Sequence, residues 1–171
     1  MNSDRPTDQT QRLLVLIKQD SSRLFERIKS RQAEYLYVFS VKRTREHFKD
    51  VFKNRFEALS IQELCTCSEE VIVASDAFYA AVDDLRWYLN HTENMPGTVE
   101  ENVQTATRKI SKLYEVLSMS IDADLGLIDR SILNDYQESS ESEEEVEIEQ
   151  STPNIELPSE PEEESWGDQG P

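Results

Sequence analysis

The sequence predicts an all-α protein: an elongated antiparallel helical bundle or coiled-coil hairpin of three or four long helices, followed by a disordered acidic C-terminal tail. Three observations carry this. Pro6 and Pro96 bracket 89 residues, 7 to 95, that contain neither glycine nor proline. Average usage of about 7% Gly and about 5% Pro would place roughly ten there. A β-rich fold needs frequent turn residues, so their absence favours long helices. Apolar residues also recur at helical spacing from Leu13 to Leu125. Finally, charge is segregated. Of the net −17, residues 1–59 carry +5, residues 60–136 carry −9, and residues 137–171, with 13 acids and no Lys or Arg, carry −13. A strongly anionic segment with few apolar groups cannot offset its ordering entropy. The expected organisation is a disordered N-terminus (1–8), a helical bundle domain (9–135) and a disordered acidic tail (136–171).

Pro6, Thr7 and Asp8 supply helix-start chemistry. Leu13, Ile17, Leu24, Ile28, Tyr35 and Val38 then follow at steps of 4, 7, 4, 7 and 3, with polar gaps at Asp20 and Arg31. The stripe continues through Val41, Phe48, Phe52, Phe56 and Leu59. Residues 9–58 are one very long helix or two, with a break near Ser30 or within Lys42 to His47. The run from Tyr35 to Val41 is aromatic and β-branched enough for a strand. It has no second strand to pair with, so it is expected as a helix buried on more than one face.

Ser60 and Glu63 fit a capping box, in which hydroxyl and carboxylate each satisfy a first-turn N–H. Leu64, Cys67, Val71, Ala74, Phe78, Ala81, Leu85 and Tyr88 follow at alternating steps of 3 and 4. This is a heptad seam, with small residues at Ala74 and Ala81 that permit close helix approach. Residues 91–97 read as a loop. Thr98 and Glu101 repeat the capping-box signature, and Val99, Val103, Ala106, Ile110, Leu113 and Leu117 form a second seam that drifts through Ile121 and Leu125. Gly126 is a candidate helix stop. Leu127, Ile128, Ile132 and Leu133 are expected to add a short docking turn.

The residues needed for chemistry are scarce. Four glycines, at 97, 126, 167 and 170, cannot build a phosphate-cradling loop. Two histidines, His47 and His91, carry Thr44 and Tyr88 three residues earlier, so the Glu-x-x-His pairs of a di-iron bundle are absent. Cys65 and Cys67 stand two apart, which on a helix points them about 200° apart. No disulfide framework is possible, and the pair fits a reducing compartment. Glu46, His47 and Asp50 read as a solvated helix face, and Asp83 and Asp84 are adjacent rather than facing. The expectation is no enzyme, no cofactor and no metal. The longest early apolar run, Leu13 to Ile17, is too short for a signal-peptide core or a membrane span. A cytoplasmic protein without membrane association is expected.

Binding candidates are few. Lys42, Arg43, Arg45, Lys49, Lys53 and Arg55 form a basic helix interleaved with Phe48, Phe52 and Phe56. Cations for phosphates and rings for bases would suit nucleic acid. The four-residue recurrence of the rings instead points them at a core. In the tail, serines precede a run of acids, and Val146-Glu-Ile148 resembles the apolar core of a β-augmentation peptide. Trp166, set among acids, suits a partner pocket. The expected function is a non-catalytic protein–protein interaction module: an adaptor, assembly factor or chaperone-like binder docking partners on helix faces. Its acidic tail would serve steering, solubility or short-motif binding. A homodimer through the 64–88 seam is one form of this. The alternative is a nucleic-acid-associated protein using the basic helix 42–55, with the tail as an intramolecular competitor.

Overall fold

The computed structural model describes residues 7–92 and 97–133. All of them lie in the first of the two units into which the chain divides, Met1–Gln137 and Glu138–Pro171. The described residues are mostly helical and contain no strand. In order they form α1 (Asp8–Ser30), α2 (Gln32–Lys42), the single turn α3 (Phe48–Val51), a 3-10 turn (Phe56–Ala58), α4 (Ile61–Leu64), α5 (Glu69–His91) and α6 (Val99–Asp124).

Thr7 begins α1, its hydroxyl accepting from the Thr10 amide. The helix buries Leu13, Leu14, Ile17, Leu24, Phe25 and Ile28. Residues 9–58 break at both candidate places. At the first, the Ser30 hydroxyl donates back to the Glu26 carbonyl and Arg31 leaves the helical region (φ −101°, ψ 13°). Such back-bonding competes with the helical ladder and bends helices. At the second, Arg43 takes a left-handed conformation (φ 52°), its N–H donating to the Phe39 carbonyl. The chain then leaves α2 without a glycine.

The stretch from Tyr35 to Val41 is helical, but one face of it stays open. Tyr35, Leu36 and Phe39 are buried, whereas Tyr37 is 66% and Val41 60% exposed. The expected burial on several faces fails because α2 is followed by a tight return. Phe48 and Phe52 come back onto Tyr35 and Phe39, with ring centroids 5.8 to 6.2 Å apart, and seal only that side.

The Ser60–Glu63 capping box forms. It opens only the four-residue α4, and Ser68 caps α5 anew by accepting from the Val71 amide. Leu64 and Cys67, the first two seam positions, therefore precede α5 and are only half-buried. The expected box at Thr98 does not form, because Thr98 is already in the helical region (φ −84°, ψ −9°) and makes no side-chain cap.

From Val71 to Leu89, α5 buries Val71, Ala74, Phe78, Ala81, Leu85 and Leu89, while α6 buries Val99, Val103, Ile110, Leu117 and Ile121. The start of α5 meets the end of α6, where the Ser68 amide donates to Asp124 (3.3 Å). The other ends meet where Asn102 donates to the Tyr88 hydroxyl (2.9 Å). α1 joins the same core through Phe25, stacked on Tyr114 of α6 at 4.6 Å, and through an ion pair of Lys18 with Asp122. No cation stands in the last turn of α6 to offset its carbonyls. Lys18 and Arg130, which pairs with Asp124 at 2.8 Å, supply that charge from outside.

Gly126 ends α6 at φ +71°. Its N–H donates to Ala123 and that of Leu127 to Asp122, the paired bonds of a Schellman stop. A helical turn at 130–133 follows. It buries Leu133 but leaves Leu127 and Ile132 exposed, so the expected docking turn uses one of its four apolar residues fully.

Two buried phenols couple this fold to pH. Burial pushes the Tyr35 hydroxyl far above its ordinary value of 10.0, and burial followed by the neighbouring Asp20 carboxylate does the same to Tyr79. Above pH 10 the unfolded chain loses these protons while the folded chain keeps them, so folding stability falls as pH rises. The midpoint of thermal unfolding should decline as pH rises above 10. Tyr79→Phe should flatten that decline, and an unchanged alkaline slope would contradict the assignment.

Candidate functional site

The basic segment is not a helix. Lys42 ends α2, 43–47 are irregular, α3 is one turn, and 52–55 are irregular again. The physical reason is side-chain capture of its backbone. Arg27 of α1 donates to the carbonyls of Val51 and Lys53, and Asp20 accepts from the Arg55 amide (3.0 Å); the segment's own His47 Nε2 donates to the Tyr35 carbonyl of α2 (3.1 Å). Phe48 and Phe52 are each 1% exposed, so neither ring can stack on a base; Phe56 stacks on Tyr79 at 4.0 Å.

The cations nevertheless converge in part. Arg45, Lys49 and Lys53 line a groove of about 390 Å³ together with Phe48, Phe52, Asn54, Glu57, Arg86 and Asn90. Arg86, from α5, was not legible as a member from the sequence: it stands thirty-one residues beyond Arg55. It pairs with Glu57 (3.3 Å) and Asp83 (3.0 Å), which reduces the net positive charge of the groove. Arg45 is half-buried; it donates to the Thr92 carbonyl and lies 5.0 Å over the Phe39 ring. Lys42 and Arg43 are exposed and do not line the groove, and Arg55 lines a separate apolar recess with Leu16, Ile17, Asp20, Phe56, Leu59 and Tyr79. Val146, Ile148 and Trp166 lie outside the described residues.

Asp20 organises that recess. It accepts from the Tyr79 hydroxyl (3.1 Å) as well as from Arg55, tying α1, α5 and the return segment together. Glu46 and Asp50 are exposed while His47 turns inward, so the three do not form a working cluster. Cys65 is exposed and Cys67 half-buried against the core; burial, and then Asp124, push the Cys67 thiol up.

A larger surface lies along α5 and α6. Two adjoining grooves of about 410 and 430 Å³ follow the crevice between these helices. Glu69, Glu70, Val73, Ala74 and Ala77 of α5 face Leu113 and Val116 of α6 in the first; Ala81, Asp84, Leu85 and Tyr88 face Asn102, Thr105, Ala106 and Lys109 in the second. Small side chains make the floor, and Val73 stands 61% exposed on the rim. The sequence signal was the run of alanines, which also explains why the crevice is not filled. Within the 64–88 seam, Val71 and Phe78 are wholly buried inside one chain, whereas Ala74, Ala81, Leu85 and Tyr88 also line these grooves.

The basic residues separate into structural and free-standing members, and stability should show it. Lys49→Ala and Lys53→Ala should shift unfolding free energy by less than about 0.5 kcal/mol, as for exposed positions without special contacts. Arg45→Ala should cost about 1–3 kcal/mol, from the lost charge-assisted bond to Thr92 and the lost ring contact. Equal effects in denaturant titrations would contradict this division.

No protein-family model matches the chain, and no curated protein or solved structure matches it.

Proposed function

We propose that the chain is a non-catalytic protein–protein interaction module, an adaptor, assembly factor or chaperone-like binder, built on an antiparallel helical bundle that docks partners on a helix face. One observation carries the reading: the crevice along α5 and α6 is lined by small and apolar side chains and is left open by the described residues, although both helices bury apolar stripes elsewhere. An apolar interhelical groove is the surface into which an amphipathic helix lays its own stripe. Its rims are polar and charged, with Glu69, Glu70 and Asp84 on α5 and Lys109 on α6, which suits a hydrated border around an apolar floor. In this reading the helical part, 9–135, docks, and the acidic tail, 136–171, steers and solubilises.

The cationic groove at Arg45, Lys49, Lys53 and Arg86 favours a second reading, an anionic partner such as nucleic acid. Against it, Phe48 and Phe52 are buried, and a chain of net −17 repels polyanions at long range.

Affinity capture separates the two. Immobilised wild-type chain should retain a defined protein partner that a 1–136 truncation also retains and that Val73→Glu loses. Binding of an oligonucleotide that falls steeply with salt and with Lys49→Glu, with no protein retained, would replace the first reading by the second.

A further inference from the structure

We infer that the partner on the α5–α6 face is a second copy of this chain, packed face to face about a two-fold axis running along the crevice. The inference rests on the docking role proposed above and names the occupant. Three features point to it. The first is charge. Asp84 of α5 and Lys109 of α6 line the same stretch of groove from opposite helices. Rotation about an axis along the crevice keeps height and exchanges the rims. Each α5 then lies over the partner's α6, and Asp84 of each copy faces Lys109 of the partner subunit, twice per dimer. A two-fold axis across the crevice would instead stack the α5 rims, with Glu69, Glu70 and Asp84, on each other, which like-charge repulsion disfavours.

The second feature is fit. The alanine floor, Ala74, Ala77, Ala81 and Ala106, leaves room for the opposing rim. Val73 of one copy would then lie over the Leu113–Val116 stretch of the partner's α6, because those positions share the first groove. The third is size. A face of two helices, α5 having 23 residues, measures about 35 by 20 Å, on the order of 700 Å² per copy. That is near the ~800 Å² per partner of a standard interface and more than one short peptide would cover. A two-fold contact is also the commonest closed symmetry and needs only one self-complementary patch.

Sedimentation equilibrium of the full chain at about 0.15 M salt, where repulsion between the net charges is screened beyond about 8 Å, tests this. The 19.8 kDa chain should sediment as a dimer at micromolar concentration. Val73→Glu should give a monomer with unchanged helical circular dichroism, since the residue is exposed in the single chain and Glu is a good helix former. Asp84→Lys and Lys109→Glu should each weaken the dimer roughly tenfold or more, and the double variant should recover it. A wild-type monomer at all concentrations overturns the inference, as does a dimer unmoved by Val73→Glu or a double variant no better than the singles. A monomer that still captures a protein partner in a Val73-dependent way leaves the docking role standing and removes only the second copy as its occupant.

Discussion

The ring of Tyr114 is the point at which three helices become one structure. It comes from α6, stacks on Phe25 of α1 and meets Phe78 of α5 at 6.0 Å. In proteins most helical stability comes from packing an apolar face, so α1, α5 and α6 draw their stability from shared burial rather than propensity. The same core holds Leu14, Ile17, Val71, Val103, Ile110 and Leu117, all almost wholly shielded from solvent. Ions and caps then set the ends: Lys18 on Asp122, Ser68 on Asp124, and the left-handed Gly126. These fix where helices stop and how they are aligned, while the apolar core supplies most of the stabilisation.

What the core uses also decides what the surface offers. Because Phe48 and Phe52 return onto Tyr35 and Phe39, the bases between them are turned outward and the rings are withdrawn. A sequence that reads as cations mixed with aromatics thus becomes a cationic rim over a closed aromatic cluster. On α5 the reverse holds. The alanines that let α6 approach also make the floor of a crevice beside Val73 and Ala77, which no helix among the described residues fills. The open face is a by-product of close packing.

Much of this was legible in residue order. The recurrence of Leu13, Ile17, Leu24, Ile28 and Tyr35 marks buried positions, and the alternating steps from Val71 to Leu85 mark the α5 seam. Ser60 with Glu63 is a capping box, and Gly126 is a stop. The failures share a cause. Val41 falls on the helical period but is exposed, because periodicity says which face a residue occupies and not whether another element covers it. Thr98 has the capping signature but not the extended backbone a cap needs. The basic segment loses its helix to bonds from Asp20 and Arg27, residues 35 and 26 positions away from those they hold. Asp20 read as a gap in a stripe is a three-way junction. Arg86 joins the cationic groove only through the packing of α5 against that segment, which no local pattern encodes.

Native-state hydrogen exchange addresses the shared core most directly, because it reads opening free energy helix by helix. If α1, α5 and α6 close on one another as a unit, the amides of Ile17, Phe25 and Ile28 open with the same free energy as those of Phe78, Val103 and Ile110. Their denaturant slopes also match. A set of α1 amides exchanging through a separate, lower-energy opening, with α5 and α6 still protected, would contradict a core that depends on all three.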